Sequence, residues 1–548
     1  MLFDRFDDTA LRADPSREPL AAGTTAASNT NTVVAYPYTG DYRVDVLLDS
    51  DTTNPDYMSV TSRWNYGSPL GTPPEHAITY SFMTSAPSYG GNNGNNGGVP
   101  GSFGFRVFTP EQKQVTQGIF THLSAELGIK FVEVPESGGS FGQIRLGQND
   151  ESNSGTAGYT YLPNTGKGDD GVAGLGLSGD VWLDFTYGPN YSLTPGGEGL
   201  ETLVHEIGHA MGLKHPGDYN GSDGASSAPG NYLGTDEDNV NYTVMSYFPD
   251  VRNQYREWYG QYDLLALKAL YGADSTFHAG PDTYSYVDGD GCKFMIIDDA
   301  SGSDTVDLSA LTLGATIDLR PGAFSSIGRD KGGQPAVNNL SIDWYTHIEN
   351  VTGTNYADHI ILGAGTASAN GNAGIDTVQY LQNHAAYSVT STGLGSNLHV
   401  TAGAVDDSLT GVERLQFADG KFAFDFNGNA GNTLKIMGAA LGQGAHPDPL
   451  LAGLGLAYLD SGTSYADLMQ GAINYELGAA HTHEAFVNLV FANVVGVAPS
   501  PDQLAFWVGE LDAGHYTEAN LAVLAADTSY NLARIDFTGQ AQHGLVYT

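Results

Sequence analysis

Eleven residues, His205-Glu206-Ile207-Gly208-His209-Ala210-Met211-Gly212-Leu213-Lys214-His215, constrain this chain more than any other stretch. They read H-E-x-x-H-x-x-G-x-x-H. Residues four apart on a helix share a face, so His205 and His209 can offer imidazole nitrogens to one ion. Leu200, Leu203, Val204, Ile207 and Met211 recur at helical spacing, with Glu198 and Glu201 near the N-terminal end. That pattern predicts a buried helix. Gly212 then matters, because glycine reaches left-handed backbone angles without steric cost and lets the chain turn to bring His215 back. Three histidines leave one coordination position open, which suits a catalytic Zn²⁺ and not a structural one. Glu206 need not bind the ion. It is placed to take a proton from a metal-bound water and pass it to a leaving amine.

A second element lies downstream of a Gly/Ser/Asp-rich loop running from Gly217 to Asp238: Val244-Met245-Ser246-Tyr247. Following the extended zinc motif, it resembles the Met-turn of the metzincin peptidases. Pro216 follows the third histidine and a tyrosine stands two residues after the methionine. Both features, with His215-Pro216-Gly217-Asp218-Tyr219, resemble the serralysin branch of secreted bacterial proteases. The resemblance implies that Met245 forms an apolar floor beneath the zinc. It also implies that Tyr247 is a further zinc ligand, able to swing away and hydrogen-bond the tetrahedral intermediate. The expected activity is that of a secreted zinc-dependent metalloendopeptidase. A secreted surface-attachment or structural protein with a vestigial protease domain is the alternative.

A chain of 548 residues predicts several domains, here a multidomain α+β architecture. Residues 1–40 read as a flexible leader, either a short propeptide or a disordered tail. Residues 41–275 resemble a metzincin zinc protease domain, a mixed twisted sheet with two long helices. Strands are expected at His76–Met83, Lys130–Val134, Gln143–Leu146, Gly158–Leu162 and Asp180–Phe185, and a glycine- and asparagine-rich loop at Gly90–Gly98. Thr109-Pro110-Glu111-Gln112 is a capping box that starts a helix marked by Val115, Ile119, Leu123 and Leu127. A second helix is expected at Gln261–Tyr271. By resemblance, Gly158, Tyr159, Thr160 and Tyr161 form the edge strand over the cleft. A peptide substrate could add there as an antiparallel strand.

Residues 276–428 turn rich in Gly, Asp, Thr and Asn. Asp299 to Asp307, Asn355 to Ile360 and Gly371 to Val378 are similar to the G-G-x-G-x-D-x-U-x calcium repeat of RTX proteins. Asp299, Asp304, Asp358 and Asp376 are the candidate Ca²⁺ ligands. Second glycines are replaced and Ala367 stands near an expected aspartate, so a degenerate β-roll or β-sandwich with few calcium ions is expected. Residues 429–548 carry alanine and leucine at helical spacing and predict an all-α domain. Its helices are expected at Pro447–Tyr458, Tyr465–Glu476, His483–Val495, Pro501–Ala513 and Thr517–Tyr530. Phe486 to Phe491, Pro499 to Asp502 and Phe506-Trp507-Val508 resemble DUF4214, a helical module of unknown function found at the ends of secreted bacterial proteins. His481-Thr482-His483-Glu484 has metal-ligating residue types, but no ligand follows at helical spacing, so it reads as a solvated helix start.

The net charge of −40 and pI near 4.3 argue against nucleic acid or an anionic membrane as a partner. Expected partners are polypeptide substrates, with a proteinaceous inhibitor or surface partner for the helical domain; a monomer is expected. Cys292 is the lone cysteine and cannot form an intramolecular disulfide. The N-terminus has no apolar signal-peptide core and no run reaches membrane-spanning length. The serralysin resemblance then implies type I secretion to the extracellular space.

Overall fold

The computed structural model describes residues 39–48, 62–65, 68–87, 104–137, 140–152, 156–163, 178–217, 232–249, 254–365, 367–442, 444 and 448–548. Nearly all of the expected leader, the Gly90–Gly98 loop, Asp218 and Tyr219 lie outside them.

After a short helix α1 (Tyr42–Asp45), the first unit contains strands β1 (Ile78–Phe82), β2 (Phe131–Glu133), β3 (Ile144–Asn149), β4 (Gly158–Thr160) and β5 (Val181–Asp184). The sheet order is β2-β1-β3-β5-β4, parallel throughout except for β4, which runs antiparallel to β5 at one edge. Every residue of β3 is buried, polar ones included. Arg145 in it donates to Glu136 at 2.8 Å and 3.2 Å, so the buried charge is paired. Helix α2 (Pro110–Leu127) starts at the expected capping box, where the Thr109 hydroxyl accepts from Gln112 N and Gln112 Oε1 accepts from Thr109 N. Helix α3 (Glu198–Ala210) carries the histidine motif, and α4 (Gln261–Tyr271) has the expected bounds. Leu203, Val204 and Ile207 of α3 and Leu264, Leu267 and Leu270 of α4 share one core with the sheet.

The middle unit coils between two facing sheets. Strands at Asn350–Thr352, His359–Ile361, Ser368–Asn370 and Thr377–Gln379 begin nine residues apart and alternate between the seven-stranded and the six-stranded sheet. Within each sheet they stack in parallel. The central residues Val351, Ile360, Ala369 and Val378 fill one shared interior. This pattern of parallel coiling is why the sequence shows short aliphatic triplets and no long strand.

The last unit holds helices α5 (Asn429–Ile436), α6 (Pro449–Asp460), α7 (Tyr465–Leu477), α8 (His483–Val495), α9 (Pro501–Asp512), α10 (Glu518–Ala526), α11 (Ser529–Arg534) and α12 (Phe537–His543). Two expectations need correction. The single helix expected at Thr517–Tyr530 is two, because the Thr528 side chain accepts from Asn531 N and caps a new helix there. The unit is not all-α either. Leu545–Tyr547 forms a strand that pairs antiparallel with Gly420–Ala423 and so joins the six-stranded sheet. Backbone groups of a sheet edge find partners in this way, and the expected boundary after residue 428 is crossed.

Candidate metal and catalytic centre

Helix α3 places His205 and His209 on one face, one turn apart. Met211 ends the helix, and Gly212 follows at φ +99°. A side chain at Gly212 would be strained by that angle, and its Cβ would stand 2.2 Å from the Ser62 carbonyl oxygen. The turn carries His215 back against the other two rings. His215 Nε2 lies 3.1 Å from His205 Nε2 and 3.0 Å from His209 Nε2. Nitrogens that share a tetrahedral ion at 2.0–2.1 Å lie roughly 3.3 Å apart, so this donor set fits zinc.

Two of the rings are oriented from behind. His205 Nδ1 donates to the Val244 carbonyl at 2.8 Å, and His209 Nδ1 to the Leu213 carbonyl at 2.7 Å. This leaves their Nε2 lone pairs directed at the common point. Burial, and the His209 ring beside it, push His205 well below the usual imidazole range; burial pushes His209 down to about 4. Both rings are therefore held neutral, the form a metal requires.

Glu206 is fully buried, and its Oε2 accepts from the Thr160 hydroxyl at 2.8 Å. Gly158 is close by, since a Cβ there would meet Glu206 Cγ at 3.0 Å. Strand β4 thus lies directly over the acid, and among the described residues no strand pairs with its outer edge. Tyr159 turns into a small core with Trp182 and Met83: it is 2 % exposed, stacks on Trp182 and accepts from Asn149 Nδ2 at 2.5 Å. Tyr161 is half-buried and meets Tyr159 edge to face.

Met245 is buried, and Gly208 leaves room for it: a Cβ on Gly208 would be 2.7 Å from Met245 Sδ. The ring centroid of Tyr247 stands 4.4 Å from that of His215 and 6.2 Å from that of His205. Asp263, which the motif did not reveal, organises this turn. From the first turn of α4, its Oδ2 accepts from Val244 N and Gly260 N, each at 2.7 Å, while Oδ1 accepts from the Thr243 hydroxyl. Burial pushes its carboxyl up to about 6. Asp238 likewise accepts from the Ser246 hydroxyl at 2.6 Å. The only sequence signal for Asp263 was its place near a helix start, which many aspartates share.

The four aspartates of the middle unit separate into two places. Asp358 Oδ1 accepts from Ala315 N at 2.7 Å, and Asp376 Oδ1 accepts from Asp358 N at 2.8 Å. Glu413 Oε2 continues the series, accepting from Asp376 N at 2.9 Å. On the other sheet, Asp304 Oδ1 accepts from Asp282 N and Glu349 Oε2 from Asp304 N. Each carboxylate therefore ties its turn of the coil to a neighbouring one. Asp304 Oδ2 and Asp376 Oδ2 are buried without a hydrogen-bond partner. Asp299 lies with His278 and Asp282 in a group whose ligand atoms fall within 4.8 Å of one another. Tyr284 Oη donates to Asp299 at 2.6 Å.

Residues 262–436 match a family model described as peptidase M10 serralysin C terminal. The chain is 32% identical over 343 residues to a serralysin of Proteus mirabilis, covering 57% of this chain and 65% of the relative. It is 31% identical over 307 residues to metallopeptidase AprA of Pseudomonas marginalis, covering 52% and 59%. Serralysin B of Dickeya chrysanthemi is 27% identical over 341 residues, covering 58% and 64%. The chain thus spans about three fifths of the length of these curated relatives, and its similarity is to metallopeptidases of the serralysin type.

Proposed function

We propose that this protein is a secreted zinc-dependent endopeptidase that cleaves extended polypeptides. The observation that carries this reading is the convergence of the buried His205 and His209 Nε2 nitrogens on that of His215, at 3.1 Å and 3.0 Å, beside a buried carboxylate. His205, His209 and His215 would hold the ion, which when bound acidifies a water and polarises a carbonyl. Glu206 takes the proton of the attacking water and delivers it to the leaving amine. The Thr160 hydroxyl fixes one of its oxygens and so sets the direction of the carboxylate. The Tyr247 phenol, beside His215, serves as a further ligand and as a donor to the developing oxyanion. The outer edge of β4 offers backbone groups to a substrate strand running past Glu206.

In the middle unit, the unpartnered oxygens of Asp304 and Asp376 and the His278–Asp282–Asp299 group are the places we assign to Ca²⁺. Asp358, with both oxygens already occupied by Ala315 N, Thr354 N and the Thr354 hydroxyl, contributes less. No helix among the described residues is long and apolar enough to cross a membrane. The test is digestion of casein by purified protein. Chelation should abolish cleavage, one equivalent of Zn²⁺ should restore it, and Glu206→Ala should be inactive with an unchanged circular dichroism spectrum. Cleavage by Glu206→Ala at the wild-type rate would falsify the reading.

A further inference from the structure

The last turn of α3 leaves two carbonyls that its own backbone does not use. Met211 N donates to the Ile207 carbonyl, Gly212 N to that of His209 and Leu213 N to that of Gly208. Lys214 N leaves the helix altogether and donates to the Leu47 carbonyl at 2.8 Å, beside an antiparallel bridge between Leu48 and Leu213. The Ala210 and Met211 carbonyls are thus among those that a helix end cannot satisfy from within. Two buried side chains from distant parts of the sequence supply the donors. Trp64 Nε1 donates to the Ala210 carbonyl and Tyr271 Oη to the Met211 carbonyl, each at 2.8 Å. The two donors are also joined, since Trp64 N donates to Tyr271 Oη at 3.3 Å.

This turn governs two of the three imidazoles. His215 follows it directly, and the Leu213 carbonyl within it accepts from His209 Nδ1 at 2.7 Å. A displaced turn therefore moves His215 and rotates His209, while His205 keeps its own support from the Val244 carbonyl. A buried carbonyl deprived of its donor is costly, so without Trp64 or Tyr271 the turn would rearrange to find another. A metal site tolerates little of that, because its ligands are held to within about 0.5 Å by the bonds behind them. Tyr271 is the last residue of α4, whose first turn carries Asp263. One helix thus reaches both sides of the centre, Asp263 acting on His205 through Val244 and Tyr271 on His215 through Met211.

On the reading of His205, His209 and His215 as zinc ligands, we propose that Trp64 and Tyr271 are positioning residues of the metal centre. By occupying the Ala210 and Met211 carbonyls they fix the turn that aims His215 and, through Leu213, His209. Neither side chain touches the ion. Both are neutral donors, so they set the direction of the ligands without adding charge to the site. The Leu47 carbonyl and the Leu48 bridge hold the far end of the same turn, so the stretch of chain ahead of the sheet contributes to the metal site from both Leu47–Leu48 and Trp64.

The test compares the full chain with Tyr271→Phe and Trp64→Phe, each of which deletes one donor and keeps an aromatic ring. Tyr262→Phe is the control, since it deletes a phenol of the same helix that donates to Glu237 at 2.9 Å instead of to the turn. Zinc affinity, measured by chelator competition at a temperature where circular dichroism shows every chain folded, should fall about 10–100-fold in the first two. In Tyr262→Phe it should stay at the wild-type value. The visible absorption of the Co²⁺-loaded protein, which reports ligand geometry, should change in Tyr271→Phe and Trp64→Phe and not in the control. Lower melting temperatures with affinity and spectrum unmoved would show a purely structural role and overturn the proposal. An equal loss of affinity in Tyr262→Phe would overturn it as well, as general loosening of α4. Should Trp64→Phe fail to fold, Tyr271→Phe, which removes a single oxygen, decides the matter alone. A wild-type chain that takes up no zinc would instead overturn the zinc reading itself, and this proposal with it.

Discussion

Glu206 and Thr160 are joined by one hydrogen bond, and the roles proposed for them separate by experiment. Glu206→Ala should lower kcat/KM by at least about 10²-fold, the usual contribution of a positioned acid–base group. Thr160→Val removes a hydrogen bond to the ionised carboxylate while keeping the side chain's shape. Its kcat should fall with KM nearly unchanged, and the acid limb of the pH–rate profile should move to higher pH. Thr160→Ser should restore both; an unmoved limb in the valine variant would rule out an orienting role. Gly212 is a third single-residue case. Gly212→Ala meets a left-handed angle and the Ser62 carbonyl together, so a loss of more than about 1–3 kcal/mol is expected. Calorimetry and zinc content should decline in step.

Between elements, the important link runs from α4 to α3 through the backbone. Asp263 holds Val244 N, and the Val244 carbonyl holds His205 Nδ1. Asp263→Ala should therefore weaken zinc binding by about 10–100-fold, measured by chelator competition, although it touches no metal. The coiled strands carry a pH dependence of their own. Burial pushes Asp376 up to about 8 and Asp299 and Asp407 up to about 6, from an ordinary value of 3.8. With folded values raised, the native state binds more protons than the unfolded chain between pH 4 and 8. Stability in a chelator should then fall as pH rises through that window and level off above it. Calcium should flatten the curve, and Asp376→Asn should remove its upper part. Thermal melts across the pH range would reveal either effect, and a chelated protein that gains stability towards pH 8 would contradict it.

At the scale of the whole molecule, Arg414 joins the coiled unit to the helical one. It is ion-paired with Asp425 in its own region and with Asp460 at the end of α6 at 3.0 Å, and it is almost wholly buried. Removing one partner from a buried ion network strands the other charges. Arg414→Ala should cost about 3 kcal/mol and lower the melting of both units together. Separate transitions, with only one displaced, would show that the units are uncoupled. The terminal strand Leu545–Tyr547 makes the same connection through backbone hydrogen bonds. No reading of residues 429–548 alone could have indicated this, because a three-residue strand is specified by the edge that receives it.

What the sequence determined by itself was local. Helix spacing put His205 and His209 on one face, Gly212 marked the turn, the Thr109 capping box marked a helix start, and the likeness to a glycine-rich calcium repeat marked Asp358 and Asp376. Such signals survive in one dimension because they arise from sterics and hydrogen bonds within a turn or two of chain. The tertiary structure alone decided that Thr160 holds Glu206, that Asp263 supports His205 through Val244, that Tyr159 faces the core, and that Trp64 and Tyr271 meet the turn before His215. Each of those contacts joins residues brought together by topology, and a short-range pattern contains no term for a partner 146 residues away, as Ala210 is from Trp64.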